Sequence, residues 1–176
     1  MWTVRHADPV GQQVNAHAVA ARRKAQLSVL GHGVEMRASP LGGMGLFATR
    51  AFEVGDWVTT YDGRIISKRE ADALLGEGGQ THMVTLDLGH TVIDGYKPWE
   101  LHDGMGGGSV ANDRNLLPDG TYLRRDTNNT YQWWWYRPDG SKTMVLRART
   151  PIAAGDEITW KYMDTPSMRL TACTER

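Results

Sequence analysis

Four stretches of this 176-residue chain carry side chains beyond what packing a core requires. "GDEITWKYM" (155–163) uses a turn, an acid and a short apolar run to deliver Tyr162, with Glu157, Thr159 and Trp160 beside it. "TYDGR" sets Tyr61 at the end of another apolar run and lets Gly63 release the chain. "GMGGGSVANDRN" leads from a glycine run to Asn112, whose amide can donate and accept at once. "PLGGMGLFA" places Gly42, Gly43 and Gly45 just before an apolar strand, where a backbone can curl at positive φ and approach a ligand, or simply turn. Phenol, amide and bare backbone are groups that hold and aim a bound molecule.

These groups must be positioned by short elements. Brief runs separated by glycine favour β structure, and candidate strands fall at 34–37, 46–48, 57–61, 82–88, 91–94, 131–136, 142–148 and 157–160. One internal helix is expected from Ser67 to about Leu75. "SKRE" supplies a capping box there, in which Ser67 Oγ accepts from the Glu70 N–H and the Glu70 carboxylate reaches back. The glycines of "GEGG" end it. "LDLGHTVI", turning at Gly89, and "RPDGSK", with Pro138, Asp139 and Gly140, read as hairpins and make an antiparallel component. "AFEVGDWVT" and "PIAAGDEIT" echo each other at an offset of one hundred residues, which predicts two strands led in by the same turn.

The length suits one domain with appendages. Twenty basic and twenty acidic residues give a formal net charge of zero, so no overall field steers the chain to nucleic acid or an anionic membrane. Cys173 is the sole cysteine, which excludes an intrachain disulfide and a cysteine-rich zinc site and fits a reducing compartment. No run approaches the roughly 18 apolar residues of a membrane span. The expectation is a soluble intracellular protein, cytoplasmic or nuclear. Residues 1–33 are basic, with Arg5, Arg22, Arg23 and Lys24 against Asp8, and read as a helix at the domain edge; organellar targeting is the second reading.

Taken in order, Gly-x-Gly, Tyr-x-Gly, an asparagine after a glycine loop, and Gly-Asp-Glu-Ile-Thr-x-x-Tyr resemble the SET domain, the fold of most protein lysine methyltransferases. The resemblance runs from about Val34 to Met163 and is carried best by "GMGLFATRAFEVGDWVTTYDG" and "LRARTPIAAGDEITWKYM". It implies a mainly β fold of several small sheets whose C-terminal segment threads beside the asparagine segment as a pseudoknot. It divides the chain into an N-terminal extension (1–33), a catalytic domain (34–163) and a tail (164–176). The implied cofactor is S-adenosylmethionine, giving S-adenosylhomocysteine, and the implied partner is a protein or peptide lysine. By the same resemblance Gly43, Met44, Gly45 and Asn112 contact the cofactor, Tyr162 and Tyr61 are catalytic, and Tyr61, Trp160 and Tyr162 line the substrate channel.

Those residue types suit methyl transfer. A sulfonium methyl needs a neutral amine lined up opposite the leaving sulfur, so the site orients more than it reacts. An aromatic-walled channel disfavours the charged ammonium by desolvation and offers ring faces to the positive methyl. A tyrosine hydroxyl directs the amine lone pair.

The chain departs from the family pattern at several positions. It reads Asn112, Asp113, Arg114, Asn115 where the family commonly has Asn-His-Ser-Cys and then Pro-Asn, with Asn128 or Asn129 as a second asparagine. Trp160 stands where Phe or Tyr is usual, and Lys161 replaces an acid. The zinc-binding cysteines after many members are absent from this sequence, so "DTPSMRLTACTER" closes the channel with Met168 and Leu170 or leaves it open. These departures leave room for a small-molecule acceptor, or for a binding module that has lost catalysis. Glu157 reads as a pairing residue near the crossing rather than a base. His82, His90 and His102 share no ligand spacing, and no metal is expected. "YQWWWYR" is either an aromatic cage or a strand with one face in the core and the other a candidate substrate surface.

Overall fold

A computed structural model describes residues 28–76, 82–86, 90–117, 121–123, 125–136 and 140–162. The basic stretch before Ser28, the tail from Met163, the turn at Gly89, the pair Pro138–Asp139 and the glycines after Gly76 lie outside the described residues.

Among the described residues, ten strands form three small antiparallel sheets. The first contains β1 (Ser28–Leu30), β2 (Val34–Ala38), β3 (Met44–Ala48) and β10 (Glu157–Ile158), in that order. The second runs β4 (Trp57–Tyr61), β9 (Lys142–Ala148), β8 (Thr130–Tyr136), and the third β5 (Gly63–Ser67), β7 (Thr91–Gly95), β6 (Met83–Thr85). The helix α1 (Lys68–Gly76) starts after the expected cap, with the Glu70 N–H donating to Ser67 Oγ at 3.2 Å. It is not long and apolar enough to cross a membrane.

The expected strands form, and two others join them. β5 pairs along its whole length with β7, from Gly63 opposite Gly95 to Ser67 opposite Thr91. Gly63 therefore begins a new strand instead of merely releasing the chain. β1 occupies 28–30, inside the segment read as helical, and pairs with β2. A three-residue strand at a sheet edge has too little periodicity to announce itself.

The main core is built where the first two sheets meet. Leu46, Val58, Met144, Leu146, Ile152 and Ile158 are fully buried in it. Tyr61 and Trp160 belong to the same cluster, so two of the expected site residues are also structural. Ile66, Ala71 and Val92 make a smaller core under α1. In β8, Trp134 packs against the main core while Trp133 and Trp135 stand on the exposed face, as strand alternation requires. The Arg147 guanidinium lies 5.6 Å from the Trp133 ring centre, and Trp57 meets Trp135 edge-on at 5.0 Å.

The hundred-residue echo is a structural one. Phe52 and Ile152 pair with each other as an antiparallel bridge. On either side the chain makes the same turn: Asp56 Oδ2 accepts from the Glu53 N–H and Asp156 Oδ2 from the Ala153 N–H, each at 2.9 Å. Gly55 and Gly155 take φ of 88° and 92°, which their missing β-carbons permit. Their N–H groups donate to Ala148 O and Ala48 O, both at 2.8 Å. One turn leads into the strand that ends at Tyr61, the other into the segment that ends at Tyr162.

Candidate active site

The segment 111–113 is the spine of the site. Asn112 and Thr159 form a parallel bridge, and the Trp160 N–H donates to Asn112 O at 3.0 Å. On its other side the 157–160 segment is held by 129–130: Thr130 N–H and Oγ1 both donate to Thr159 O, at 3.0 and 2.8 Å. Asn129 Oδ1 accepts from the Thr159 N–H, and its Nδ2 donates to Glu157 O, each at 2.8 Å. The C-terminal segment thus passes between two distant stretches of chain, as the expected threading requires.

This crossing aims the aromatic residues. The Trp160 indole is 4% exposed and stands between the two tyrosines, 5.7 Å from the Tyr61 ring and 5.7 Å from the Tyr162 ring, edge-on to both. Its Nε1 donates to Ala111 O at 3.1 Å, and the Tyr162 hydroxyl donates to the same carbonyl at 3.4 Å. The Tyr61 hydroxyl donates to His82 O at 2.6 Å. Burial, then the neighbouring Tyr162, pushes the Tyr61 phenol well above the ordinary tyrosine range. Burial, and after it the Asp113 carboxylate, pushes Tyr162 up to about 12. Both phenols therefore keep their protons at neutral pH. They donate and accept hydrogen bonds there but do not act as phenolate bases.

The glycine run before Asn112 is no slack. Gly106 N–H donates to Asp62 Oδ2 at 2.8 Å and Gly107 N–H to Thr59 Oγ1 at 3.1 Å, which ties the run to the strand carrying Tyr61. A second group of polar contacts forms beside the glycine loop of 42–45. Asn112 Nδ2 donates to Met44 O at 3.2 Å and to Glu157 Oε1 at 2.9 Å. Both partners are acceptors, so the orientation of the amide is fixed by its network. Ser39 Oγ donates to the same Glu157 oxygen at 2.6 Å. A β-carbon at Gly45 would lie 2.5 Å from that oxygen and 2.8 Å from Ser39 Cβ, so only glycine lets the loop close on Glu157 and Asn112. Gly43, by contrast, faces open space with φ of 61°.

The structure thus gathers Tyr61, Trp160 and Tyr162 into one aromatic group. It gathers Met44, Gly45 and Asn112 into a neighbouring polar one, in which Glu157 accepts from Asn112 and Ser39. A family model described as the SET domain matches residues 43–163, which span both groups.

The chain belongs to the SET domain family.

That family is one of protein lysine methyltransferases, and this SET domain has the corresponding architecture. Among solved structures it is similar to a humanized mutant of the Chaetomium thermophilum Polycomb Repressive Complex 2 bound to the inhibitor GSK126, with a TM-score of 0.56 and 22% identity. The match covers 75% of this chain and 15% of that one, and it shows a shared fold. No curated protein matches this SET domain.

Some of the site's polar residues escaped the sequence. Asp113 looks there like a lost family position, yet it is buried and binds the backbone of Tyr162. The clue was the run of Asp and Asn in "NDRN" and "DTNN", short polar side chains with no charge of opposite sign beside them in either tetrapeptide except Arg114.

Proposed function

We propose that this SET domain transfers a methyl group to the ε-amine of a lysine in a protein or peptide, using S-adenosylmethionine and releasing S-adenosylhomocysteine. The supporting observation is the Trp160 indole held between Tyr61 and Tyr162, with the Tyr162 hydroxyl against the Ala111 carbonyl. Such a group offers apolar ring surface and two hydroxyls held by backbone carbonyls. It suits an amine that must be neutral, desolvated and correctly pointed.

The donor set of the polar group fits the cofactor. Asn112 spends its amide nitrogen on Met44 and Glu157, and we assign its amide oxygen to the cofactor's ammonium. The open space at Gly43 gives room for the amino-acid end. When bound, S-adenosylmethionine supplies a methyl carried on a positive sulfur. The residues of this chain do the rest. Ring faces of Tyr162 and Trp160 favour positive charge beside them. Tyr162 and Tyr61 orient the amine through their hydroxyl oxygens, and burial of the site excludes water. The lysine ammonium gives its proton to solvent before entering the site; the neutral nitrogen then takes the methyl and carries the positive charge away as a methylated ammonium, with the neutral thioether as leaving group.

The test is incubation with S-adenosylmethionine and a pool of lysine-containing peptides, read by mass spectrometry for mass gains of one methyl on lysine and for S-adenosylhomocysteine. Methylated lysine that disappears with Tyr162→Phe supports the reading. Cofactor turnover with small amines alone would replace the protein acceptor by a small molecule, and cofactor binding without turnover would make this a binding module.

A further inference from the structure

Asp113 is 4% exposed, and four donors converge on its carboxyl group. Oδ1 accepts from the Asn115 N–H at 2.9 Å and from Asn128 Nδ2 at 2.8 Å. Oδ2 accepts from the Tyr122 hydroxyl and from the Tyr162 N–H, the latter at 2.8 Å. The donors are themselves fixed. Asn128 cannot turn its amide round, because its Oδ1 accepts from the Arg114 N–H at 2.9 Å and its Nδ2 also donates to Asp126 at 3.0 Å. Asn115, fully buried, accepts from the Thr127 N–H and Oγ1 and donates to Asp126 at 3.1 Å. Asp126 is anchored in turn by Arg149.

This network has a direction. Asn115, Tyr122 and Asn128 surround one acceptor, and that acceptor reaches across to the backbone of Tyr162, 49 positions along the chain. The phenol of the same residue then meets the carbonyl of Ala111, two residues before Asp113. Tyr162 is therefore gripped at its backbone and at its hydroxyl by one short segment. An amide in place of the carboxyl group has a single acceptor oxygen, and its NH2 would face at least one fixed N–H donor whichever way it turned: Asn115 N–H and Asn128 Nδ2 on one side, Tyr162 N–H on the other. A buried donor against a donor is strongly unfavourable.

We propose that Asp113 is a positioning residue for Tyr162, a carboxylate that fixes the tyrosine backbone so that its phenol stays aimed at the Ala111 carbonyl. This rests on the reading of Tyr162 as the residue at the site of methyl transfer, and it assigns a task to a position where the chain departs from its family.

The experiment places 3-fluorotyrosine at position 162 and records its fluorine NMR resonance in the full-length protein, which needs no acceptor and no turnover. Asp113→Asn, which keeps size and removes one acceptor, should shift or broaden that resonance, and Tyr122→Phe should move it less. Lys68→Ala, an exposed residue of α1 whose ion pair is with Asp72, should leave it in place and serves as the control. Should Asp113→Asn fail to fold, Tyr122→Phe decides, because it removes one donor and leaves Asp113. An unchanged resonance in the folded variant overturns the proposal.

Turnover of S-adenosylmethionine with the lysine-peptide pool is measured in parallel. Asp113→Asn should lower kcat by on the order of ten- to a hundredfold with little change in KM, as expected when a reacting group is misplaced. Combined with Tyr162→Phe it should lower kcat little further, because both changes act through the same hydroxyl. Full additivity overturns the proposal. If Tyr162→Phe alone leaves turnover unaltered, the catalytic reading of Tyr162 fails, while the resonance still decides whether Asp113 holds it.

Discussion

The side-chain amide of Asn112 donates to Glu157 Oε1 at 2.9 Å, joining the segment after the glycine run to the first residue of β10. Ser39 donates to the same oxygen from the other side, so one carboxylate closes the glycine loop, the asparagine segment and the C-terminal crossing on one another. The proposed cofactor position is next to this junction, and its residues give the sharpest predictions.

Asn112→Ala removes the donor to Glu157 and to Met44 O. Loss of a hydrogen bond to a charged group is worth roughly 1.5–3 kcal/mol. We expect the thermal stabilisation given by S-adenosylmethionine to shrink strongly, with a smaller fall in the melting temperature of the free protein. An unchanged ligand-induced shift would remove Asn112 from the cofactor site.

Gly45→Ala introduces a β-carbon 2.5 Å from Glu157 Oε1 and 3.1 Å from Asn112 Nδ2. Overpacking of this kind destabilises by about 1–3 kcal/mol. Chemical denaturation should show that loss, and calorimetry should show weakened S-adenosylmethionine binding. Gly43→Ala meets nothing within 4 Å, though its φ of 61° adds backbone strain, so its β-carbon should leave the Glu157 junction intact.

Tyr162→Phe deletes the hydroxyl that meets Ala111 O and retains the ring beside Trp160. Methyl transfer to the peptide pool should fall by at least about a hundredfold if this hydroxyl orients the amine. Cofactor affinity, measured by calorimetry, should stay within a few-fold of the parent. Turnover equal to the parent's would exclude the hydroxyl from the reaction.

Alkaline pH should unfold the domain through its buried phenols. Tyr162, pushed up to about 12, keeps its proton in the folded state after an unfolded tyrosine, near 10, has lost it. The unfolded state then binds fewer protons, so stability is complete below about pH 10 and declines from there toward pH 12. Denaturation midpoints measured from pH 8 to 12 should fall across that window, and less so in Tyr162→Phe. A flat profile would mean that Tyr162 is not desolvated.

Residue type carried much of the site into the sequence. Tyr61, Asn112 and Tyr162 stand out in the sequence as phenols and an amide at the ends of short runs, and their proposed roles come from the resemblance to the SET domain. The structure places Tyr61 and Tyr162 against Trp160, with Asn112 bridged to Thr159 beside it. The strands of the second sheet were legible from the dense β-branched and aromatic residues of 57–61 and 131–136. β5 was not, because Ile65 is 59% exposed and Ile66 is its one buried apolar residue, too little alternation to read. Asp113 was illegible for another reason. Its partners are the Asn115 backbone, Tyr122, Asn128 and the Tyr162 backbone, and a partner 49 residues away leaves no local trace. Trp160 was readable as a wall but not as a member of the core, since burial is decided by what folds over a residue.

The paired turns at 52–56 and 152–156 bear on how accurately the two tyrosines can be set. Both strands depart from the single bridge between Phe52 and Ile152, each by the same hydrogen bonds. A shift of that bridge reaches the start of both strands at once. The gap between the phenols is then set by their own anchors, His82 O for Tyr61, Ala111 O for Tyr162 and the Trp160 ring against both. The domain can tolerate drift in its frame while keeping its gauge.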